Sequence, residues 1–202
     1  MSSAREEILR RAHVSAAPVP VERAYRRQGT LDDEQRVALF CERVGEYRAD
    51  VRRCDDVAAV VASLGATRLV VPSGVPEAWR SSGLELIDDD GLSPYELDAL
   101  DGALTGCTVA IAETGTIVLT AGAAEGRRAL TLVPDLHVCV VGESQIVELV
   151  PEALARLDEL GLHRRPITFV SGPSATSDIE LRRVEGVHGP RTLVVLVVKE
   201  IS

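Results

Sequence analysis

The sequence lacks the cysteine pairs, the long apolar runs and the surplus of basic residues that mark several common protein classes. Its four cysteines are scattered, without a Cys-x-x-Cys pair, so no metal site, zinc or iron–sulfur cluster held wholly by this chain is predicted. The longest apolar run, residues 193–198, is too short to span a bilayer. The absence of a Gly-x-Gly-x-x-Gly fingerprint disfavours a dinucleotide bound in the Rossmann manner.

Charge and composition indicate which partners and which compartment are favoured. The chain has 31 acidic and 22 basic residues, a net charge of −9. Nucleic acid and anionic membranes attract clustered Lys and Arg, so neither is favoured as a partner. The N-terminus has no apolar signal segment, and the cysteines are too sparse for a disulfide framework, which favours a cytoplasmic compartment.

The 202 residues suit one compact α/β domain behind an N-terminal extension. We predict a helix over residues 4–12 and an extended arm, which together form an N-terminal region of residues 1–30, and a single domain over residues 31–202. The arm could contact its own domain or a second copy, so a homo-oligomer remains open. Thr30 with Asp33 is predicted to open a second helix, whose apolar stripe comprises Val37, Phe40, Cys41, Val44 and Tyr47.

Strands and helices alternate over residues 51–100, which predicts a mainly parallel sheet with flanking helices. Residues 129–133 and 138–141 both read as strands without a helix between them, so a β-rich insertion is expected to fold over that sheet. A helix beginning at Pro151 is predicted to bury Leu154, Leu157 and Leu160. Residues 167–170 form another predicted strand, and residues 193–198 a strand buried on both faces.

The centre of the chain, residues 101–120, contains two short β-branched runs around the polar tetrad Glu113-Thr114-Gly115-Thr116. These runs read as buried strands, and Gly115 permits a sharp reversal between them. A buried carboxylate must be paired or hydrogen-bonded. Glu113 therefore either caps backbone amides in a tight corner or belongs to a functional site with the two threonine hydroxyls.

A second polar stretch follows the predicted strand 167–170. Ligands collect beyond the carboxyl ends of strands in open α/β sheets, and glycine lets backbone approach them closely. Hydroxyls and backbone amides in such a loop bind carboxylate or phosphate groups. Ordinary turn chemistry explains the same residues. The candidate residues are Ser171, Gly172, Ser174 and Thr176.

Residues 186–191 precede the last strand and contain two further candidates. His188 is expected on an exposed turn, where it either shuttles protons near neutral pH or bonds a backbone carbonyl. Arg191 either holds a substrate carboxylate in a two-pronged grip or lies at the surface.

Several separate blocks follow one another along the chain, at residues 105–107, 110–117, 171–174, 178–180 and 186–191. In this order they resemble the lactate-utilization protein C family, whose members are built on the LUD domain. The resemblance implies a fold similar to that of CoA transferases and ribose-5-phosphate isomerase. It also implies a cluster-free subunit that acts with iron–sulfur partner proteins to oxidise L-lactate to pyruvate.

Two alternatives of other classes remain. The Glu-Thr-Gly at residues 113–115 is similar to the Glu nucleophile motif of class I CoA transferases, although those enzymes usually have Asn after the Glu. A stand-alone transferase would use Glu113 as the nucleophile. A binding or regulatory module for a small carboxylate is the third option. No cofactor is expected on this chain under any of them, and the iron–sulfur clusters would lie on the partners.

Overall fold

The structure, a computed structural model, describes residues 4–12, 24–80, 83–173 and 189–201. Its helices are α1 Ala4–Ala12, α2 Asp33–Glu46, α3 Val57–Ala62, α4 Glu77–Arg80, α5 Pro94–Asp98 and α6 Val150–Glu159. Its strands are β1 Asp50–Arg53, β2 Arg68–Val71, β3 Glu85–Asp88, β4 Gly102–Thr105, β5 Val109–Ile111, β6 Thr116–Leu119, β7 Leu136–Gly142, β8 Ile146–Val147, β9 Thr168–Val170 and β10 Thr192–Val198. Within the described residues, no helix has the length and apolar character to cross a membrane.

The larger sheet has six strands in the order β1-β10-β7-β4-β2-β3, and all its neighbours pair in parallel. The mainly parallel sheet with flanking helices that the alternation predicted is therefore confirmed. The chain runs from β2 to its neighbour β3, returns to β4 on the other side of β2, and then continues to β7 and β10. The connections that follow the adjacent strands β2 and β4 thus run toward opposite edges of the sheet.

Strand β10 lies between β1 and β7, and residues 193–198 are buried. Its side chains alternate between two cores. Val195 packs with Phe40 and Val44 of α2 on one face, and on the other face Val194 and Leu196 pack with the core that includes Val61 of α3. The prediction of a strand buried on both faces is confirmed.

A second sheet has the strand order β8-β5-β6-β9. Its central strands β5 and β6 are antiparallel, as are β6 and β9, while β5 and β8 are parallel. Ala110 and Ile117 of this sheet share a core with Cys139 and Val195 of the larger sheet. This second sheet therefore folds onto the parallel sheet, and α6 covers its outer face through Ala153 and Leu157. The predicted β-rich insertion was misplaced, because residues 138–141 belong to β7 inside the parallel sheet and the second sheet is formed by β5, β6, β8 and β9.

Several local predictions were wrong. Residues 129–133 do not form a strand: Arg128–Thr131 is a 3-10 helix, stabilised by hydrogen bonds from the Arg128 guanidinium to the carbonyl and hydroxyl of Thr131. Strand β4 was not predicted at all. Of the three leucines assigned to one buried face of α6, Leu154 and Leu160 are exposed and only Leu157 is buried, because positions three apart drift around a helix of 3.6 residues per turn.

The second helix also begins differently from the prediction. Its N-cap is Asp32, which forms a capping box with Gln35. Thr30 does not cap the helix; its amide donates to a carboxylate elsewhere in the fold. The stripe is buried at Val37, Phe40 and Val44, whereas Tyr47 lies beyond the helix end and is exposed.

Candidate functional site

The predicted site residues of the central stretch lie at one end of the second sheet. Strand β5 leads into Glu113 and β8 leads into Glu148 at this end, where β6 begins with Thr116. The pairing of Ile117 with Val170 brings Ser171, the residue after β9, beside Thr116. The structure thus brings together residues 113–116 and Ser171, which we call the Glu113 corner.

Gly115 makes the turn of this corner possible. Its φ is +58°, in the left-handed region that disfavours side chains. A Cβ at this position would lie 2.6 Å from the carbonyl carbon of Arg43 and 2.7 Å from the amide nitrogen of Val44. The corner therefore rests directly on the backbone of α2, and only glycine fits the space.

Hydroxyl groups connect the corner to β9. The Thr114 and Thr116 hydroxyls lie 2.8 Å apart, and the Thr116 hydroxyl lies 2.7 Å from that of Ser171. Because each hydroxyl can donate one bond and accept others, the three form a continuous chain between two strands. The Thr116 side chain is buried, so its hydroxyl forms these hydrogen bonds inside the packed end of the sheet.

The Glu113 side chain is neither buried nor a cap. It is 45% exposed and forms an ion pair with Arg26 of the N-terminal arm. In the part of the chain that the structure describes, no backbone amide donates to its carboxylate, so the corner-cap interpretation was wrong. The Glu113 amide itself donates to the Glu148 carbonyl, at 3.0 Å.

The capping carboxylate of this region is Glu148, which was not among the predicted site residues. Its side chain is 7% exposed, and its Oε2 accepts bonds from the amides of Thr30 and Leu31, at 2.6 and 2.7 Å. Its Oε1 also lies 3.7 Å from the Arg26 guanidinium. Glu148 thereby fastens the arm and holds Arg26 near Glu113. Nothing in the spacing of the sequence links residue 148 to residues 26–31.

Glu152, at the start of α6, fastens the arm a second time. It accepts hydrogen bonds from the amides of Gly29 and Leu149, at 2.9 and 2.8 Å. Burial raises the pKa of Glu152, but the bonds from these backbone amides outweigh it and leave the pKa below its usual value. The carboxylate therefore stays ionised. The domain boundary at residue 30 stays a prediction, and the residues just before it are hydrogen-bonded to the domain.

The remaining candidates lie apart from Glu113 or outside the described residues. Gly172 has a φ of +133° and packs against Tyr47. A Cβ added to Gly172 would lie 2.9 Å from the Tyr47 Cβ. Arg191, the residue before β10, pairs with Asp135 at 3.4 Å. The predicted sites Ser174, Thr176 and His188 lie outside the residues that the structure describes.

The predicted ligand site after residue 170 assumed a strand of the parallel sheet, but the strand before Ser171 is not one. Strand β9 lies at the edge of the second sheet and pairs antiparallel with β6. The rule that ligands collect at carboxyl ends applies to parallel α/β sheets. The rule therefore gives no support to a ligand site at residues 171–173.

The cysteines do not supply the ligands of a metal cluster. Cys107 and Cys139 are buried, whereas Cys41 and Cys54 are partly buried on other elements, where burial raises the pKa of both thiols. Considering only the described ranges, no group of three or more His, Cys, Asp or Glu side chains is arranged to hold a metal ion. These residues do not fit an iron–sulfur cluster.

Known proteins resemble this chain in sequence. Residues 95–198 match the family model of the LUD domain. The chain is 49% identical over 164 residues to a lactate utilization protein C of Deinococcus radiodurans, covering 79% of this chain and 77% of that protein. It is 31% identical over 144 residues to one of a Geobacillus species, covering 67% of this chain and 57% of that protein.

A solved structure is also similar. It is the crystal structure of a DUF162 family protein from Deinococcus radiodurans, with a TM-score of 0.73 and 40% sequence identity. The alignment covers 84% of this chain and 99% of that one. The α/β architecture described above is thus shared along nearly the whole of a known structure.

Proposed function

The chain belongs to the LUD domain family, and from this membership we propose that it serves lactate utilization as the cluster-free subunit of an L-lactate oxidation system. Iron–sulfur partner proteins would carry the electrons as lactate is converted to pyruvate. The observation that carries this proposal is the similarity to proteins named lactate utilization protein C, at 49% identity over most of both chains.

The cysteine arrangement supports the division of labour. Iron–sulfur clusters are held by sets of cysteine thiolates, and the two buried cysteines and two partly buried ones of this chain do not form such a set. Oxidation of lactate releases two electrons, which need an acceptor. The proposal therefore assigns electron transfer to partners and assigns to this chain a structural or regulatory contribution, or part of the site.

The Glu113 corner favours this proposal over the transferase alternative. A carboxylate nucleophile must be positioned and activated. Here Glu113 is 45% exposed and its charge is already paired with Arg26, which Glu148 holds in place. The transferase alternative requires the arm to leave, and it stays a prediction. It is tested by acyl-CoA transfer with the isolated chain, which must be measurable in the wild type and lost in Glu113→Gln.

The proposal is tested by isolating the tagged chain anaerobically from its own host grown on lactate. We expect iron–sulfur proteins to co-elute and the eluate to reduce a dye in the presence of L-lactate. The isolated chain alone should reduce no dye, and adding it back to a partner fraction depleted of it should restore reduction. Lactate-dependent reduction that persists without the chain would contradict the proposal.

A further inference from the structure

A cavity of about 320 Å³ opens at the carboxyl ends of β2 and β3, away from the Glu113 corner. Its walls include Ser73 after β2, Asp89 after β3, and the loop after β6 with residues 121–123, Gly126 and Arg127. This volume is within the range of small-molecule sites. We call this space the Arg127 cavity.

The cavity lies beside the topological switch point of the parallel sheet. Strand β2 leads to β3 on one side, whereas its other neighbour β4 leads to β7 in the opposite direction. Such a reversal leaves a crevice beyond the carboxyl ends of β2 and β4, where open α/β sheets bind ligands, and the cavity adjoins this crevice through Ser73 after β2. The loop of residues 121–127 crosses this edge, because the amides of Gly74 and Gly106 donate to the carbonyls of Ala123 and Ala124, at 3.0 and 2.8 Å.

A buried carboxylate fixes the loop that forms one wall. Glu125 is 4% exposed. Its Oε2 accepts bonds from the amides of Thr120 and Gly122, at 2.5 and 3.0 Å, and its Oε1 accepts one from the Thr108 hydroxyl. Ala121 adopts a φ of +54°, which is unusual for a residue with a side chain. The wall is therefore built by specific bonds rather than by loose packing.

Hydrogen bonds from two of its three guanidinium nitrogens hold Arg127 in one orientation. Its Nε and Nη2 donate to the two oxygens of Asp89, at 2.7 and 2.8 Å, and Nη2 also donates to the Leu92 carbonyl. Asp89 accepts two further bonds from the amides of Gly91 and Leu92, so its acceptor capacity is well used. Among the described residues, Nη1 of Arg127 has no partner.

Several donor groups of the residues that line the cavity are unused. Besides Nη1 of Arg127, the amide and hydroxyl of Ser73 and the amide of Ala123 find no partner in the described ranges. A guanidinium with free backbone and hydroxyl donors matches the oxygens of a carboxylate or phosphate. We propose that the Arg127 cavity binds the oxyanion group of a small metabolite, with Arg127 and Ser73 as its principal donors. This site is separate from the Glu113 corner and does not depend on the role in lactate utilization.

The test is a titration of the 15N-labelled chain followed by NMR, with L-lactate in one arm and inorganic phosphate in the other. We expect saturable shifts at the amides of Gly122, Ala123 and Gly126 in at least one arm. A response to lactate alone identifies a carboxylate site, and a response to phosphate alone identifies a phosphate site. Absence of saturable shifts in both arms would overturn the proposal.

Two variants and a matched control separate binding from folding. Arg127→Gln removes the guanidinium and should weaken binding by at least about tenfold. Ser73→Phe leaves every charge in place and fills the cavity from an exposed position, so it should abolish the shifts. Arg80→Gln is the control: Arg80 pairs with the neighbouring Asp88 at 2.6 Å but does not line the cavity, and it should bind as the wild type does. Unchanged affinity in both Arg127→Gln and Ser73→Phe would contradict the assignment.

Discussion

The Glu113 corner and the Arg127 cavity both lie at strand ends, but they use their charges in opposite ways. At the corner, Arg26 neutralises Glu113, and Glu148 accepts hydrogen bonds from the amides of Thr30 and Leu31, where the arm joins the domain. At the cavity, Asp89 orients Arg127 and leaves one of its nitrogens without a partner in the described residues. The corner is closed by its own chain, whereas the cavity is open and keeps donors for a ligand.

This contrast shows that a conspicuous motif and an available site are different things. The tetrad at residues 113–116 draws attention because its polar groups stand between two buried strands. In the fold, those hydroxyls bond each other and the carboxylate is paired. Ser73 and residues 121–127 look like ordinary loop sequence, yet Ser73, residues 121–123, Gly126 and Arg127 line a cavity.

The largest effect is expected from Gly115→Ala, because the corner is packed on backbone. The left-handed φ costs about 1 kcal/mol or more for a residue with a Cβ, and the collision with α2 at 2.6 Å adds to it. We expect a total loss of at least about 3 kcal/mol in the free energy of unfolding, measured by urea denaturation. The control Gly65→Ala has a similar φ of +79° and nothing within 4 Å, so it should lose only about 1 kcal/mol. Equal losses would show that the corner does not rest on α2.

A comparable effect is expected from pH, at a buried group of the six-stranded sheet. His137 is 1% exposed and its Nε2 lies 2.8 Å from the Thr105 hydroxyl. Burial, and to a lesser extent the nearby Arg128 charge, lower its pKa from 6.5 to about 4. The unfolded chain therefore binds this proton first as pH falls, and about 3 kcal/mol of stability should be lost between pH 6.5 and pH 4.

The measurement for His137 is urea denaturation at several pH values, with His137→Gln for comparison. Glutamine keeps an N–H donor for Thr105 but has no titration in this range. The difference between the two proteins should shrink as pH falls, and it should be largest above pH 6.5. Parallel pH profiles would show that His137 is not buried in its neutral form.

A smaller effect is expected from Glu148→Ala, which unfastens the arm. The change leaves the amides of Thr30 and Leu31 without their acceptor, and we expect a loss of about 2 kcal/mol. Trypsin should then cleave after Arg26 or Arg27 faster than in the wild type. The matched control Glu113→Ala removes an exposed carboxylate that accepts no backbone amide in the described residues, so stability should fall by less than about 1 kcal/mol. A fast-cleaved arm in the control and not in Glu148→Ala would reverse the roles assigned here.

Most of the fold could be predicted because its signals are local. The spacing of Val37, Phe40 and Val44 identifies the buried face of α2, and the Ser93–Glu96 capping box marks the start of α5. Strand β4 escaped prediction because its residues Gly-Ala-Leu-Thr carry small side chains with little β-branching. Residues 129–133 misled because they are mostly apolar, yet residues 128–131 form a 3-10 turn that buries Leu130 and leaves Leu132 exposed.

The candidate site was less predictable because its partners are distant in sequence. Glu113 and Arg26 are 87 residues apart, and no periodicity or spacing signals such a pair. The Arg127 cavity likewise needs loops that follow three different strands, so it exists only once the order of the strands is known. The rule that ligands bind beyond the carboxyl ends of parallel strands was available from the sequence, but the strands to which it applies were not.

The smallest change in stability is expected from Arg26→Gln, although it decides whether the corner is closed. Both partners of the Arg26–Glu113 pair are substantially exposed, at 64% and 45%, so the loss should be below about 1 kcal/mol. Arg191→Gln provides a matched control, since Arg191 is 62% exposed and pairs with Asp135. The informative measurement is labelling of Glu113 by a water-soluble carbodiimide and an amine, followed by mass spectrometry. Labelling should be faster in Arg26→Gln and unchanged in Arg191→Gln, because Arg26 pairs with that carboxylate whereas Arg191 pairs with Asp135. Equal labelling in all three proteins would mean that Glu113 is as available as the donors of the Arg127 cavity, and the distinction between a closed corner and an open cavity would no longer hold.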